Sequence, residues 1–263
     1  MLHSLRQLLR HRALIQSLVA RELKARYRGS VLGIVWSFLN PLLLLLIYTF
    51  VFSVVLPASR SGQIEHFPLF MFCGILPWAW FSSSLLESAS VLIASGGLLR
   101  KVLFPAEVLP IVTVLAGLVH FCLGLPILLA FILYYRVAIT TDIFWLPLIV
   151  AEQLLLTLGL ALLVSSLTVH FRDLRDLLGN VLTLAFFATP IVYPLSQAPE
   201  WSRRLLVLNP FTHLAVSYQE VLFDERPFTD WMRVAVMAGV SLAVFAIGYF
   251  VFDRLRDTFA EEV

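Results

Sequence analysis

Six stretches, residues 33–56, 67–92, 108–134, 144–168, 177–195 and 232–252, carry between them only the charges of Glu87, Glu152 and Arg233. A helix crossing a bilayer needs about 20 consecutive, mostly apolar residues. Runs of this kind leave few other options. With 60% hydrophobic and 14% charged residues over a length of 263, the chain cannot cover a water-exposed globule with polar groups, since soluble domains carry roughly a quarter charged residues. Lipid is the expected solvent for much of the surface. The expected fold is all-α, a polytopic membrane protein with six transmembrane helices in a single transmembrane domain over 1–263. Cys73 and Cys122 lie inside apolar runs and read as small hydrophobes. The first thirty residues lack the short apolar core and small-residue cleavage site of a signal peptide. Basic residues cluster only beside the spans, so nothing points to nucleic acid.

Six spans put both ends of the chain on one side, and Lys/Arg bias chooses the side. Thirteen of the nineteen Lys and Arg residues fall with the termini: seven before residue 30, then Arg100, Lys101, Arg172, Arg175, Arg254 and Arg256. Both termini are therefore expected in the cytoplasm. Residues 4–28 read as an N-terminal amphipathic interface helix. On a helical wheel Leu5, Leu8, Leu9, Ile15, Leu18, Val19, Leu23 and Tyr27 gather opposite Arg6, Arg10, Arg21, Lys24 and Arg28, although Arg12, Glu22 and Arg26 interrupt the apolar side. Such a helix lies in the headgroup plane; a helix packed on another protein is the alternative.

Three segments do more than cross a bilayer. The loop SGGLLRKVLFPAEVLPI, 95–111, joins a Gly pair, a basic pair and Phe-Pro. It suits a short surface helix that stops before Pro105, or simply a tight turn with orienting charges. In FRDLRD, 171–176, two Arg alternate with two Asp, which suits either a charge-balanced helical turn or a solvated loop. Residues 190–228 are expected outside. Within them 200–208 and 211–223 are amphipathic but too short to span, with Asn209-Pro210 between them. They read as two short helices folded back toward the membrane, covering a cavity, because exposed irregular backbone is not tolerated in lipid.

Inside the spans, Glu87 and Glu152 are costly carboxylates and functional candidates. Trp36, Trp78, Trp80 and Trp145 have an interfacial belt as their ordinary explanation. In PWAWFSSS, 77–84, however, rings stand beside hydroxyls; ring faces stack on sugar C–H faces while hydroxyls bond their edges. Tyr48, Thr49 and Tyr193 repeat the combination. No phosphate-binding Gly-Lys-Ser loop, H-E-x-x-H, G-x-S-x-G or metal-spaced Cys/His pair occurs. Energy for transport must then come from a gradient or another subunit.

Five stretches together resemble the permease subunit of bacterial polysaccharide ABC exporters, in the O-antigen and teichoic-acid branch of type 2 exporters. They are RELKARYRGSVLGIVWSFLNPLLLLLIYTFVFSVVL (21–56), GILPWAWFSSSL (74–85), LLRKVLFPAEVLP (98–110), FRDLRD (171–176) and TPIVYPLSQAP with LNPFTHLAVSYQEVLF (189–223). The resemblance implies a homodimer in the bacterial inner membrane, bound to a separate ATP-binding subunit that carries ATP and Mg; no cofactor is bound by this chain. It implies export of undecaprenyl-diphosphate-linked polysaccharide, and re-entrant external gate helices within 196–228. It further implies a substrate channel faced by Trp36, Asn40, Tyr48, Thr49, Trp78, Trp80, Phe81, Glu87 and Tyr193; Arg26 and Arg28 suit the lipid-diphosphate entrance, or serve simply as charges that orient the first span. Arg100, Lys101, Phe104 and Glu107 would couple to the ATPase, and Asn209, Pro210 and Tyr218 would belong to the external gate. A permease for a small drug or lipid, and a membrane-embedded enzyme or scaffold, are the competing classes.

Overall fold

The computed structural model describes residues 12–26, 28–55, 64, 66–99, 105–138, 140–223, 228 and 230–262, and all regular structure among them is helical. We number the main helices α1 (Arg12–Arg26), α2 (Trp36–Thr49), α3 (Phe67–Ala94), α4 (Val108–Tyr135), α5 (Leu146–His170), α6 (Leu174–Ala188), α7 (Glu200–Leu206), α8 (Pro210–Leu222) and α9 (Trp231–Leu255). Among the described residues α3, α4, α5 with its leading turn from Thr141, and α9 with its trailing turn are long and apolar enough to cross a membrane. At 28 residues, α3 and α4 each reach about 42 Å. Helix α2 is shorter but runs on as a wider turn over Phe50–Val55.

Local sequence sets these limits. Pro68 and Pro210 stand in the first turns of α3 and α8, where a missing N–H costs nothing. The fifth expected span, 177–195, is corrected to α6, which starts earlier and stops at Ala188. Thr189 precedes Pro190 and is extended, with φ −101° and ψ 139°, because the proline ring excludes the helical conformation from its predecessor. At 15 residues α6 covers only about 22 Å. Asn209 caps α8: its side-chain oxygen accepts from the Phe211 N–H at 3.0 Å, and its Nδ2 donates to Thr189 Oγ1 at 3.0 Å. Losing that cap in Asn209→Ala should cost about 1–2 kcal/mol, read as a lower melting temperature of the detergent-purified protein.

Small residues let the long helices approach. Gly117 and Gly124 of α4 lie against Trp80, Ser84 and Leu76 of α3; a Cβ at Gly124 would stand 2.4 Å from Leu76 Cδ1. Helices α5 and α9 share the most extensive contact in the bundle, crossing at Gly159 and Gly248. In lipid, where apolar surface gains nothing by leaving one tail for another, such close packing is a main source of helix association.

Both ends of the described chain lie at one end of the bundle. Leu18 of α1 packs on Val108 and Val112 at the start of α4. Phe259, in the last turn of the chain, packs with Leu92, Leu109, Val169 and Phe252. Part of the apolar face assigned to 4–28 is therefore covered by α4; residues 4–11 and Tyr27 lie outside the described residues. The opposite end is built by the start of α3, the end of α4, and α7 and α8.

Candidate functional site

A groove of about 400 Å³ opens between α1, α2, α3 and α4. Its polar lining is brought together from several elements: Arg26 from the end of α1, Ser30 from the turn after it, Ser37 and Asn40 one turn apart on α2, Ser83 from α3 and His120 from α4. Trp36 and Trp80 supply rings. Trp36 Nε1 donates to Ser30 Oγ at 3.0 Å, which ties the ring to the turn after α1. Trp80 Nε1 donates to the Val114 carbonyl at 3.1 Å. Its edge lies so close to Gly117 that a Cβ there would sit 2.8 Å from Cδ1. Ser37 Oγ and His120 Nδ1 are 3.3 Å apart. The guanidinium of Arg26 pairs with the carboxylate of Glu87 at the rim, across 61 residues of sequence.

The groove thus gathers Trp36, Asn40, Trp80 and Arg26 from the expected channel and entrance sets, with Glu87 as Arg26's partner. It does not gather the others. Arg28 is exposed in the turn beyond α1. Tyr48 and Thr49 are half-buried near the far end of α2, about 12 Å along the axis from Asn40, and the Tyr48 ring centroid is 5.8 Å from that of Phe186. Tyr193 donates its hydroxyl to the Phe187 carbonyl at 3.1 Å.

Trp78 and Phe81 differ from the expectation of a channel face. Both are buried in mid-helix. Trp78 meets the edge of Phe211 at 4.9 Å, and Phe81 lies 4.6 Å from the same ring. These contacts dock α8 onto α3, so both residues pack a helix joint, and for Trp78 the belt reading fails as well. Tyr218 is fully buried on the inner side of α8, not displayed at an opening. Glu107 is buried just before α4, where its charge suits the helix dipole but is not offered to a partner surface. Arg100, Lys101 and Phe104 lie outside the described residues; the single helical turn Gly96–Leu99 before them is present. Arg172, Asp173, Arg175 and Asp176 are all exposed, and no ion pair joins them among the described residues. Asn209 and Pro210 form the joint between α7 and α8.

Sequence reasoning missed Ser37 and His120 as groove residues, while Ser83 belongs to the hydroxyl run of PWAWFSSS. Each is a polar residue in an apolar run, a signal that is visible, but their convergence depends on the α2–α3–α4 packing. Among the described residues no three His, Cys, Asp or Glu side chains gather as metal ligands.

Long apolar helices with a polar, ring-lined groove entering from the terminal end define a multi-pass membrane protein. The chain belongs to the ABC-2 type transporter family, whose pattern matches residues 13–223. It is similar over its whole length to the O-antigen export system permease protein RfbA of Myxococcus xanthus, at 42% identity over 265 residues covering all of both chains. The RfbA permease of Klebsiella pneumoniae is 31% identical over 242 residues, 92% of this chain and 91% of that protein. The polysialic acid transport protein KpsM of Escherichia coli is 23% identical over 235 residues, 89% and 90% of the two chains. The resemblance read from the sequence, to permeases of polysaccharide ABC exporters, holds.

Proposed function

We propose that this chain is the permease subunit of an ATP-driven exporter that moves an undecaprenyl-diphosphate-linked polysaccharide, O-antigen-like, from cytoplasm to periplasm. The observation that carries the reading is the similarity to an O-antigen export permease over all of both chains. The working unit in this reading is a homodimer in the bacterial inner membrane, joined to a separate ATP-binding subunit that holds ATP and Mg. The terminal end of the bundle faces the cytoplasm, in keeping with its excess of Lys and Arg. Helix α2 with its continuation, and α6 with the segment after it, complete six spans. Helices α7 and α8 act as the external gate.

Each groove residue has a task in this scheme. Arg26, at the groove mouth, attracts the lipid diphosphate as a charged, multi-donor group. Trp36 offers its ring to the leading sugar while Asn40 and Ser37 bond hydroxyls. The segment after Gly96–Leu99 receives the push of the ATPase, and α1 rests at the headgroups. Exposed apolar side chains on α2 and its continuation (Leu46, Ile47, Phe50) and on α6 (Leu184, Phe187) are free to meet lipid or the second copy.

Deletion of the gene tests the reading. Surface polymer should vanish while lipid-linked polymer accumulates inside, and the wild-type gene should restore both. Complementation with Trp36→Ala should leave export about fivefold slower, the equivalent of one ring contact near 1 kcal/mol. Unchanged surface glycan in the deletion strain would instead assign the chain to small-molecule or lipid export.

A further inference from the structure

A second, larger cavity of about 1340 Å³ opens at the far end of the bundle, where His66 and Phe70 meet it from a different face of α3 than Phe72 and Leu76 present to the groove. It exceeds the roughly 300–1,000 Å³ of ordinary small-molecule pockets, so it has room for a ligand of several units. The sequence explains its lining. Helix α8 buries Phe211, Leu214, Ala215, Tyr218, Val221 and Leu222 against the bundle, while Thr212, His213, Val216, Gln219 and Glu220, with Phe223 just past its end, line the cavity, Thr212 and Gln219 being buried themselves. A polar stripe on a helix docked at a membrane face needs water or polar protein opposite it, and the cavity supplies that space.

The walls are built for hydrogen bonding. His66, the residue before α3, and Arg136, the residue after α4, are the two non-glycine positions with positive φ among the described residues, at 60° and 55°. The His66 ring lies 4.6 Å from that of Tyr135, so the ends of two long helices meet as a ring pair beside a guanidinium. Arg203 donates to the carbonyls of Ser196 and Ala198 at 2.7 and 3.2 Å. Arg233 bridges Glu220 at 2.6 Å and Asp230 at 3.2 Å, which balances its charge. Neither Arg136 nor Arg203 meets a carboxylate among the described residues. The lining therefore sums to three Arg against two acids, with two His besides. Thr212 is 1% exposed, lines the cavity and has no hydrogen-bond partner for its hydroxyl among the described residues. A buried hydroxyl left so is costly unless a ligand or water meets it.

We propose that this cavity is a saccharide-binding site for an acidic segment, bearing carboxylate or phosphate, of the exported polymer. Thr212 and Glu220 meet ring hydroxyls, the His66–Tyr135 ring pair forms an apolar wall, and Arg136 with Arg203 receive the acid. Binding here retains a length of polymer after it has crossed, which opposes backsliding between strokes. The source of the saccharide rests on the export reading above; the binding site itself is measurable apart from export.

The test uses the full exporter in nanodiscs and titrates a hexuronic-acid hexasaccharide, maltohexaose of equal length, inorganic phosphate and glycerol phosphate. Arg136 is exposed at a helix end, so Arg136→Gln should fold normally; Thr212→Val is the buried companion, checked by melting temperature. The acidic hexasaccharide should bind the wild type, at least tenfold tighter than maltohexaose, and both variants should lose at least tenfold. Gly239→Ala, on α9 where an added Cβ meets nothing within 4 Å and outside both the groove and the cavity, should leave that binding unchanged. Equal binding of acidic and neutral chains, equal binding by wild type and variants, or no binding at all would overturn the proposal. So would displacement by glycerol phosphate alone, which would make this a lipid-headgroup site. Each of these outcomes leaves the gene-deletion result, and with it the export reading, untouched.

Discussion

Gly248→Ala should lower the stability of the purified protein by about 1–3 kcal/mol, and Gly248→Leu should yield no folded protein at all. The reason is a backbone contact. A Cβ added at Gly248 would stand 2.0 Å from the Gly159 carbonyl oxygen and 2.7 Å from its carbon. From the other side, a Cβ at Gly159 would stand 2.6 Å from Phe245 Cα and N. Neither obstacle is the tip of a side chain that swings away, so α5 and α9 must separate along their most extensive contact. Interhelical packing that depends on touching backbones then opens, and lipid cannot fill it as tightly. Gly239, on the same helix, provides the control: a Cβ there meets nothing within 4 Å. Gly239→Ala should be neutral or slightly stabilising, because alanine costs less backbone entropy than glycine in a helix. Melting in detergent and the yield of monodisperse protein read all three variants. Equal stability of Gly248→Ala and Gly239→Ala would sink the crossing argument.

That crossing could not have been read from the chain. A glycine in an apolar run is silent about which neighbour it touches, and GLAL around Gly159 looks like any other span. Four of the six expected spans were legible, since bilayer thickness imposes length and composition on each such helix separately. Starts and ends of α3, α4 and α9 fall within three residues of those expected. The Asn209-Pro210 joint was equally plain, because a cap and a first-turn proline are local devices. The site divides along the same line. Trp36 and Asn40 sit four residues apart on one helix, so their shared face follows from helical geometry. Trp78 and Trp80 flank Ala79 two residues apart, which on a helix sends them to different neighbours. One ring joins the groove and the other docks α8, and only the packing of α4 and α8 around α3 says which. His120 and Ser37 met across 83 residues, a distance that no local pattern spans.

Arg26→Ala should reduce export by roughly tenfold or more while leaving the fold nearly as stable as before. The two halves of that expectation come from different physics. The side chains of Arg26 and Glu87 remain 30% and 39% exposed, and an ion pair that wet contributes well under 1 kcal/mol to stability. Under the proposed function, a lipid diphosphate met at the groove mouth is another matter: charge-assisted bonds from a guanidinium are worth about 1.5–3 kcal/mol, and removing them should slow loading by roughly ten- to a hundredfold. Glu87 in this view holds the guanidinium in place until an anion replaces it. Glu87→Gln should then weaken the hold without removing the donor, leaving export near wild type. Arg26→Lys should restore part of the lost rate, since lysine keeps the charge but not the forked pair of donors. The exchange of both residues, Arg26→Glu with Glu87→Arg, separates the roles. It rebuilds the ion pair and keeps the net charge, yet puts a carboxylate at the position that lines the groove. Export that stays low in the exchanged protein, with an unchanged melting temperature, assigns Arg26 to the passenger. Full recovery would mean that only the bond between α1 and α3 matters, and that the diphosphate is met elsewhere.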